Sequence, residues 1–278
     1  MSLIDMHVHT ADSPDADIQA QELVVQGLNM NLAGIGFVAH LDLDPEDYCY
    51  GGFDENTYNR SIELARREAG NRISVLKGIE VGEPHIYEEQ VKKLVDYSNY
   101  DFITGALHSL AGIGIILGGE VYAGADHLEI VEQYYTETLQ MVEKANIDIL
   151  AHMGLFRRGL ALAGLEHDFN ELELWPETIH RILETIIERN IALELNTSGL
   201  RRKEKITYPA PEILVQYKKM GGQLITIGSD THREPDIFYG LSEGREQLIE
   251  TGFRETNFFI DRELRGNPLF HKNNMPTL

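Results

Sequence analysis

Six short apolar runs in this 278-residue chain carry histidine or a carboxylate at their ends. Residues 3–9 carry His7 and His9, 35–40 end on His40, 74–80 on Glu80, 102–108 on His108, 149–152 on His152, and 224–232 carry Asp230 and His232. Runs of this length read as buried parallel strands. A polar residue just past such a strand points into the mouth of an α/β barrel, where that architecture places its sites. One histidine there would be unremarkable. Eight polar donors on six strand ends, with almost nothing else polar beside them, imply one shared multinuclear metal site.

The segments between these runs read as helices over about 17–29, 55–70, 87–98, 126–145, 176–190 and 211–220. Pro176 and Pro211 sit where helices should start, and Gly70, Asn146 and Asn190 where they should stop. A further apolar stretch, Ile191–Asn196, makes a seventh strand. Seven strands alternating with helices predict a mostly parallel sheet closed as a barrel, an α/β fold. A chain that is 42% hydrophobic can fill such a core in one domain, here residues 1–264. Residues 265–278 mix Gly, Pro, Asn and charge, and are expected to form a loosely held tail or arm.

No run is long and apolar enough to predict a membrane span, and no basic-then-apolar leader opens the chain. The one cysteine, Cys49, excludes an internal disulfide and fits a reducing cytoplasm. It lies away from the strand ends and reads as structural. The formal charge of −21 disfavours nonspecific nucleic-acid or anionic-membrane binding, which needs clustered Lys and Arg. A phosphorylated small-molecule partner stays compatible, because bound divalent cations can dominate the local charge.

His7 and His9 lie two residues apart, so on a strand both rings share a face; Asp230 and His232 repeat that spacing. Imidazole and carboxylate donors suit zinc, manganese or iron, and composition excludes a thiolate site. Eight donors exceed what one catalytic zinc uses, so two or three divalent transition-metal ions are expected. Glu80 can bridge two of them.

These residues resemble the PHP (polymerase and histidinol phosphatase) family. His7-Val8-His9-Thr10, Gly78-Ile79-Glu80, Leu107-His108-Ser109, Ala151-His152 and Gly228-Ser229-Asp230-Thr231-His232 match its motifs in order. The resemblance implies a distorted seven-stranded (β/α)7 TIM-like barrel with three metal positions. His7, His9, Glu80 and Asp230 would hold the first, Glu80, His108 and His152 the second, and Asp15, His40 and His232 the third. Asp15 stands where many relatives have His. The stretch Glu194–Arg201 resembles the standalone histidinol-phosphatase branch in particular. The implied activity is phosphomonoester hydrolysis, with histidinol phosphate as substrate and histidine biosynthesis as context. Glu80, His40 and His232 would be the catalytic residues, the last two contacting phosphate or protonating the leaving alkoxide when free of metal.

Arg157 and Arg158 follow His152, and relatives carry a basic residue in this loop. One of the two is expected to clamp phosphate, since a planar guanidinium suits bidentate contact. Glu194 and Asn196 share a strand face, where structural hydrogen bonding and orientation of a metal ligand fit equally well. Asp5 reads as inward or behind the ligands. The acidic run 42–47 reads as a solvated loop, or as an attractant for a cationic amine. His85, His127, His167, His180 and His271 read as ordinary packing or surface residues.

Three competing readings differ in class. A PHP barrel can act on other phosphomonoesters, nucleotides or cyclic phosphodiesters. An amidohydrolase barrel also begins with His-x-His, but typically has eight strands and a bridging lysine, and this chain offers His108 there. A non-catalytic metal-binding barrel usually loses ligands, and here all remain.

Overall fold

The computed structural model describes residues 3–110, 113–115, 122 and 126–270. Twelve strands and nine α-helices are defined among them. The strands are β1 (Ile4–Val8), β2 (Gly34–Phe37), β3 (His40–Leu41), β4 (Ser74–Gly82), β5 (Phe102–Ala106), β6 (Ser109–Leu110), β7 (Ile113–Gly114), β8 (Ile149–Leu150), β9 (Ala192–Asn196), β10 (Ile225–Gly228), β11 (Glu255–Ile260) and β12 (Glu263–Pro268). The helices are α1 (Ala20–Asn29), α2 (Glu55–Ala69), α3 (Pro84–Leu94), α4 (His127–Lys144), α5 (Phe156–Ala163), α6 (Glu171–Leu174), α7 (Pro176–Arg189), α8 (Pro211–Lys219) and α9 (Leu241–Thr251).

Seven parallel strands follow one another in the order β1-β2-β4-β5-β8-β9-β10. The two ends of this path meet. Val8 bridges Thr231, the His9 amide donates to the Thr231 carbonyl at 2.9 Å, and the Asp230 amide donates to the His7 carbonyl at 2.8 Å. The sheet is therefore the expected seven-stranded barrel. It is distorted in two places. The register of β1 against β2 shifts between Asp5 and Val8, a bulge that re-aims side chains. Beyond Phe37, the short β3 takes over the pairing with β4, putting His40 opposite Glu80.

A small apolar cluster collects Ile4, Met6, Leu76, Phe102, Ile149 and Ala192 from successive strands around the barrel. Residues from strands all round the circle meet only inside it, so this cluster fills the interior. Phe259 of the β11–β12 hairpin belongs to it. The larger cluster packs the outer strand faces against the helices, with Ile62, Val131, Ile182, Ile186 and Leu214 among its members.

Several helices differ from the sequence expectation. Helix α3 starts at Pro84, earlier than position 87, because proline is tolerated in a first turn where its missing N–H costs nothing. The Gly/Ala/Leu-rich stretch after His152 is helical as α5, with Phe156 and Leu160 four residues apart and both buried. α9 was not anticipated. The expected tail also begins inside a strand, since β12 continues through Arg265 to Pro268, paired along its length with β11. The pairing partner, which composition does not reveal, decides this. Residues 271–278, His271 included, lie outside the described residues.

Candidate metal centre

All nine residues expected to hold metal converge on one cavity or the floor beneath it. Glu80 is at the centre, 1% exposed. Its Oε2 lies 3.4 Å from His7 Nε2, 3.2 Å from His9 Nε2 and 3.2 Å from His40 Nδ1. Its Oε1 lies 2.8 Å from His152 Nε2 and 3.3 Å from His108 Nε2. One carboxylate thus faces five imidazoles, one oxygen toward each half of the site. Asp230 Oδ1 is 3.8 Å from His7 Nε2 and 3.6 Å from His9 Nε2. Asp15 faces His40 at 3.6 Å and His232 at 3.1 Å.

A shell of buried carboxylates aims these rings. Glu194 Oε1 meets His7 Nδ1 at 2.7 Å, and its Oε2 accepts from the His152 amide at 2.8 Å. This answers the open reading of Glu194 in favour of orientation: it turns His7 Nε2 into the site. Gly228 makes room for it, because a Cβ there would lie 2.3 Å from Glu194 Oε1. Asn196 donates to Glu194 Oε2 at 3.1 Å. Asp5 Oδ1 accepts from the amides of His7 and Ser229, one on each side of the barrel closure.

Asp42 and Glu83 belong to the same shell, and the sequence reading missed both roles. Asp42 is 2% exposed, not solvated; its Oδ1 is hydrogen-bonded to His108 Nδ1 at 2.8 Å, and its Oδ2 lies 3.1 Å from His40 Nδ1 without a hydrogen bond. Its i, i+2 spacing from His40 was the available signal. Gly82 admits it; a Cβ at that position would lie 2.0 Å from Asp42 Oδ1. Asp44 is likewise buried and accepts from Ser109 Oγ at 2.8 Å. Glu83 accepts from the amides of His108 and Ser109 through one oxygen.

Electrostatics follow from burial and crowding. Burial alone would raise the Glu80 carboxyl, but His7, His108 and His40 outweigh it and hold it well below the usual carboxylate range. Asp230 behaves likewise, burial being overcome by His7, His232 and His9. Burial first, then His232 and His40, push the His9 imidazole down to about 3, leaving it neutral with a free lone pair. Burial pushes Asp5 and Glu83 up to about 7.

This donor set fits divalent cations. The Nε2 atoms of His7 and His9 face each other at 3.1 Å, and those of His40 and His232 at 3.5 Å. Glu80 Oε2, Asp42 Oδ2, Asp15 Oδ1 and His40 Nδ1 are buried with no hydrogen-bond partner. Buried polar atoms are normally satisfied, and lone pairs converging on common points are satisfied by a cation. His7, His9 and Asp230 form one triad with all donor atoms within 4.8 Å of one another; His40, Glu80 and His108 form another. Asp15, His40 and Cys49 make a third. The Cys49 thiol therefore lies at the centre rather than remote from it, buried in the cavity wall.

The cavity holds about 500 Å³. Of the arginine pair, Arg158 lines it and Arg157 does not. Arg157 is 1% exposed, ion-paired to Glu171 at 2.7 Å and bonded to the carbonyls of His167 and Phe169. Of the two candidates for the phosphate clamp, Arg157 is corrected to a structural role, because each of its guanidinium nitrogens is already engaged. Arg202 and Arg233 line the cavity and were not anticipated. Only their position after the ends of β9 and β10 hinted at it. Arg201 donates to the carbonyls of Ser229 and Asp230 at 2.7 and 2.6 Å, fixing the loop that carries Asp230.

Known proteins resemble this chain in sequence and in fold. A Clostridium acetobutylicum protein named "Probable histidinol-phosphatase" is 30% identical over 236 residues, 84% of this chain and 88% of that protein. The histidinol-phosphatase of Lactococcus lactis is 24% identical over 96% of this chain and 98% of its own length. A crystal structure of the Lactococcus lactis histidinol phosphate phosphatase, complexed with zinc, L-histidinol and phosphate, superposes with a TM-score of 0.83. It matches 95% of this chain and 99% of its own at 20% identity, so it speaks for the fold. The PHP domain model matches residues 5–198, from the first metal-type motif through β9, and the chain belongs to the PHP domain family.

Proposed function

We propose that this protein is a metal-dependent phosphomonoesterase that hydrolyses L-histidinol phosphate to L-histidinol and phosphate. The observation that carries the reading is the convergence of five imidazoles on Glu80, in a cavity whose wall also presents Arg158. The substrate is supported by relatives named for that activity that span most of this chain.

His7, His9, Glu80 and Asp230 would hold one ion; Glu80, His108 and His152 a second; Asp15, His40 and His232 a third. Zinc, manganese or iron suits these donors. When bound, such ions acidify water to a nucleophile and neutralise charge on phosphate oxygens. The remaining work falls to the chain. Glu194 and Asp42 fix the Nδ1 edges of His7 and His108, so their Nε2 atoms face inward. Arg158 contacts the phosphate through its planar fork. Where the third position is free of metal, His40 and His232, beside Asp15 on the cavity wall, would contact the phosphate or protonate the leaving alkoxide. Glu46 and Asp47 line the same cavity and meet the cationic amine of the alcohol portion. Among the described residues no helix is long and apolar enough to cross a membrane. We place the reaction in the cytoplasm, in keeping with a single free, buried thiol.

The test is phosphate release by protein loaded with zinc, manganese or iron, across a panel of phosphomonoesters. Histidinol phosphate should exceed a neutral or anionic ester in kcat/KM by at least about tenfold, equivalent to ~1.4 kcal/mol. Equal rates across the panel would leave a phosphoesterase of another substrate, and no release with any metal would end the reading.

A further inference from the structure

A second cavity of about 460 Å³ opens beside the metal centre and shares two walls with it, Arg158 and Arg202. Its described lining holds five cations, Arg158, Arg201, Arg202, Lys203 and Lys205, against one carboxylate, Glu204. The chain as a whole has 45 acidic and 24 basic residues, so this is its charge balance locally inverted.

The cations are not there to satisfy one another. Arg201 is committed to the Ser229 and Asp230 carbonyls and to Asp236, and Glu204 accepts from the Tyr208 hydroxyl. That leaves four. Among the described residues the side chains of Arg158 and Lys203 have no hydrogen-bond or ion-pair partner. Arg202 reaches Asp236 only at 4.0 Å, with its Nε buried and unpartnered. Lys205 touches a single carbonyl, that of Leu200, at 3.4 Å, and sits at φ +53, a backbone region lysine seldom occupies. Burial, and then the charge of Arg202, hold the Arg158 guanidinium below its usual range. Asp230 and Glu204 offset this only in part, and like charges in such excess cost free energy unless an anion joins them.

We propose that Arg202, Lys203 and Lys205 form an outer oxyanion dock that captures the phosphate of the incoming substrate and hands it through Arg202 to Arg158 in the inner cavity. The inference rests on the phosphomonoesterase reading for its physiological ligand. Its electrostatic logic is specific. A substrate dianion approaching a protein of net charge −21 meets repulsion almost everywhere, and the metal cavity itself is rimmed by Glu46, Asp47 and Asp236. Charge of the opposite sign at one rim focuses the field and raises the encounter rate. Lys203 and Lys205 are both exposed, as capture from solution requires.

The experiment compares metal-loaded wild type with the double variant Lys203→Glu/Lys205→Glu, and with Lys203→Gln/Lys205→Gln as the milder control. At low ionic strength the charge reversal should lower kcat/KM for histidinol phosphate about tenfold and leave kcat unchanged, the neutral pair falling between. The difference should vanish in about 0.5 M salt, where screening shortens to a few ångströms. Calorimetry with inorganic phosphate should give two sites on the wild type, one weak and salt-sensitive, and only the tighter site on the charge-reversed variant. Equal kcat/KM at low salt together with equal phosphate stoichiometry would overturn the dock. If the wild type releases no phosphate from histidinol phosphate, the substrate reading fails by itself. The phosphate stoichiometry then decides the dock alone, a single site on the wild type overturning it.

Discussion

Glu80 has its two oxygens within 3.4 Å of five imidazole nitrogens, and among the described residues no other carboxylate in the cavity does comparable bridging. Glu80→Gln keeps the shape and removes the charge. It should strip metal, as elemental analysis would read, and slow phosphate release by several orders of magnitude; wild-type turnover would exclude the bridging role. The adjacent arginines predict a sharper contrast. Arg157→Ala leaves Glu171 buried and unpaired, so denaturation should show a loss of about 3–5 kcal/mol, typical of a broken buried ion pair. Arg158→Ala should leave the melting temperature near wild type and cost roughly 2–3 kcal/mol in kcat/KM, the worth of a charged hydrogen-bond donor in a dry site. Swapped outcomes would reverse the assignment.

At the scale of elements, strand ends were the legible part. His7, His40, Glu80, His108, His152 and Asp230 could be read from the sequence because a buried parallel strand is a run of apolar residues, and whatever polar residue ends it must face the mouth. Asp42 could not be separated from its acidic neighbours in that way. Its burial depends on β3 pairing with β4, and on Gly82 leaving space in the facing strand. Arg157 and Arg158 were indistinguishable for a similar reason. Helix α5, whose rotation turns one inward and the other to the cavity, was hidden because it is only two turns long, flanked by Gly154 and Gly164 and interrupted by Gly159. The Asp42 contact can be tested from either side. Asp42→Asn and Gly82→Ala should both free the His108 ring and weaken metal affinity by about 10–100-fold, the usual cost of losing a carboxylate behind a ligating histidine. Isothermal metal titration reads this directly. An unchanged affinity in Asp42→Asn would deny the contact a functional role.

For the molecule as a whole, the centre draws donors from six strand ends, so metal occupancy and barrel stability are linked. Chelation should lower the melting temperature. At free metal a thousandfold above its dissociation constant, the linkage contributes about 4 kcal/mol. Calorimetric scans with and without chelator would measure it, and coincident transitions would mean that the ions add nothing to the fold. The place where β1 meets β10 gives this linkage a particular form. The closure is made by Val8, His9 and Thr231, with Asp5 holding Ser229, and these residues interleave with His7, Asp230 and His232. The seam of the barrel and the heart of the site are one location, joined across 224 positions of sequence. During synthesis, therefore, His7 and His9 are made long before Asp230 and His232 and wait for them. A nascent or truncated chain lacking β10 has an open sheet and an incomplete donor set together, so the enzyme cannot switch on before its barrel is whole.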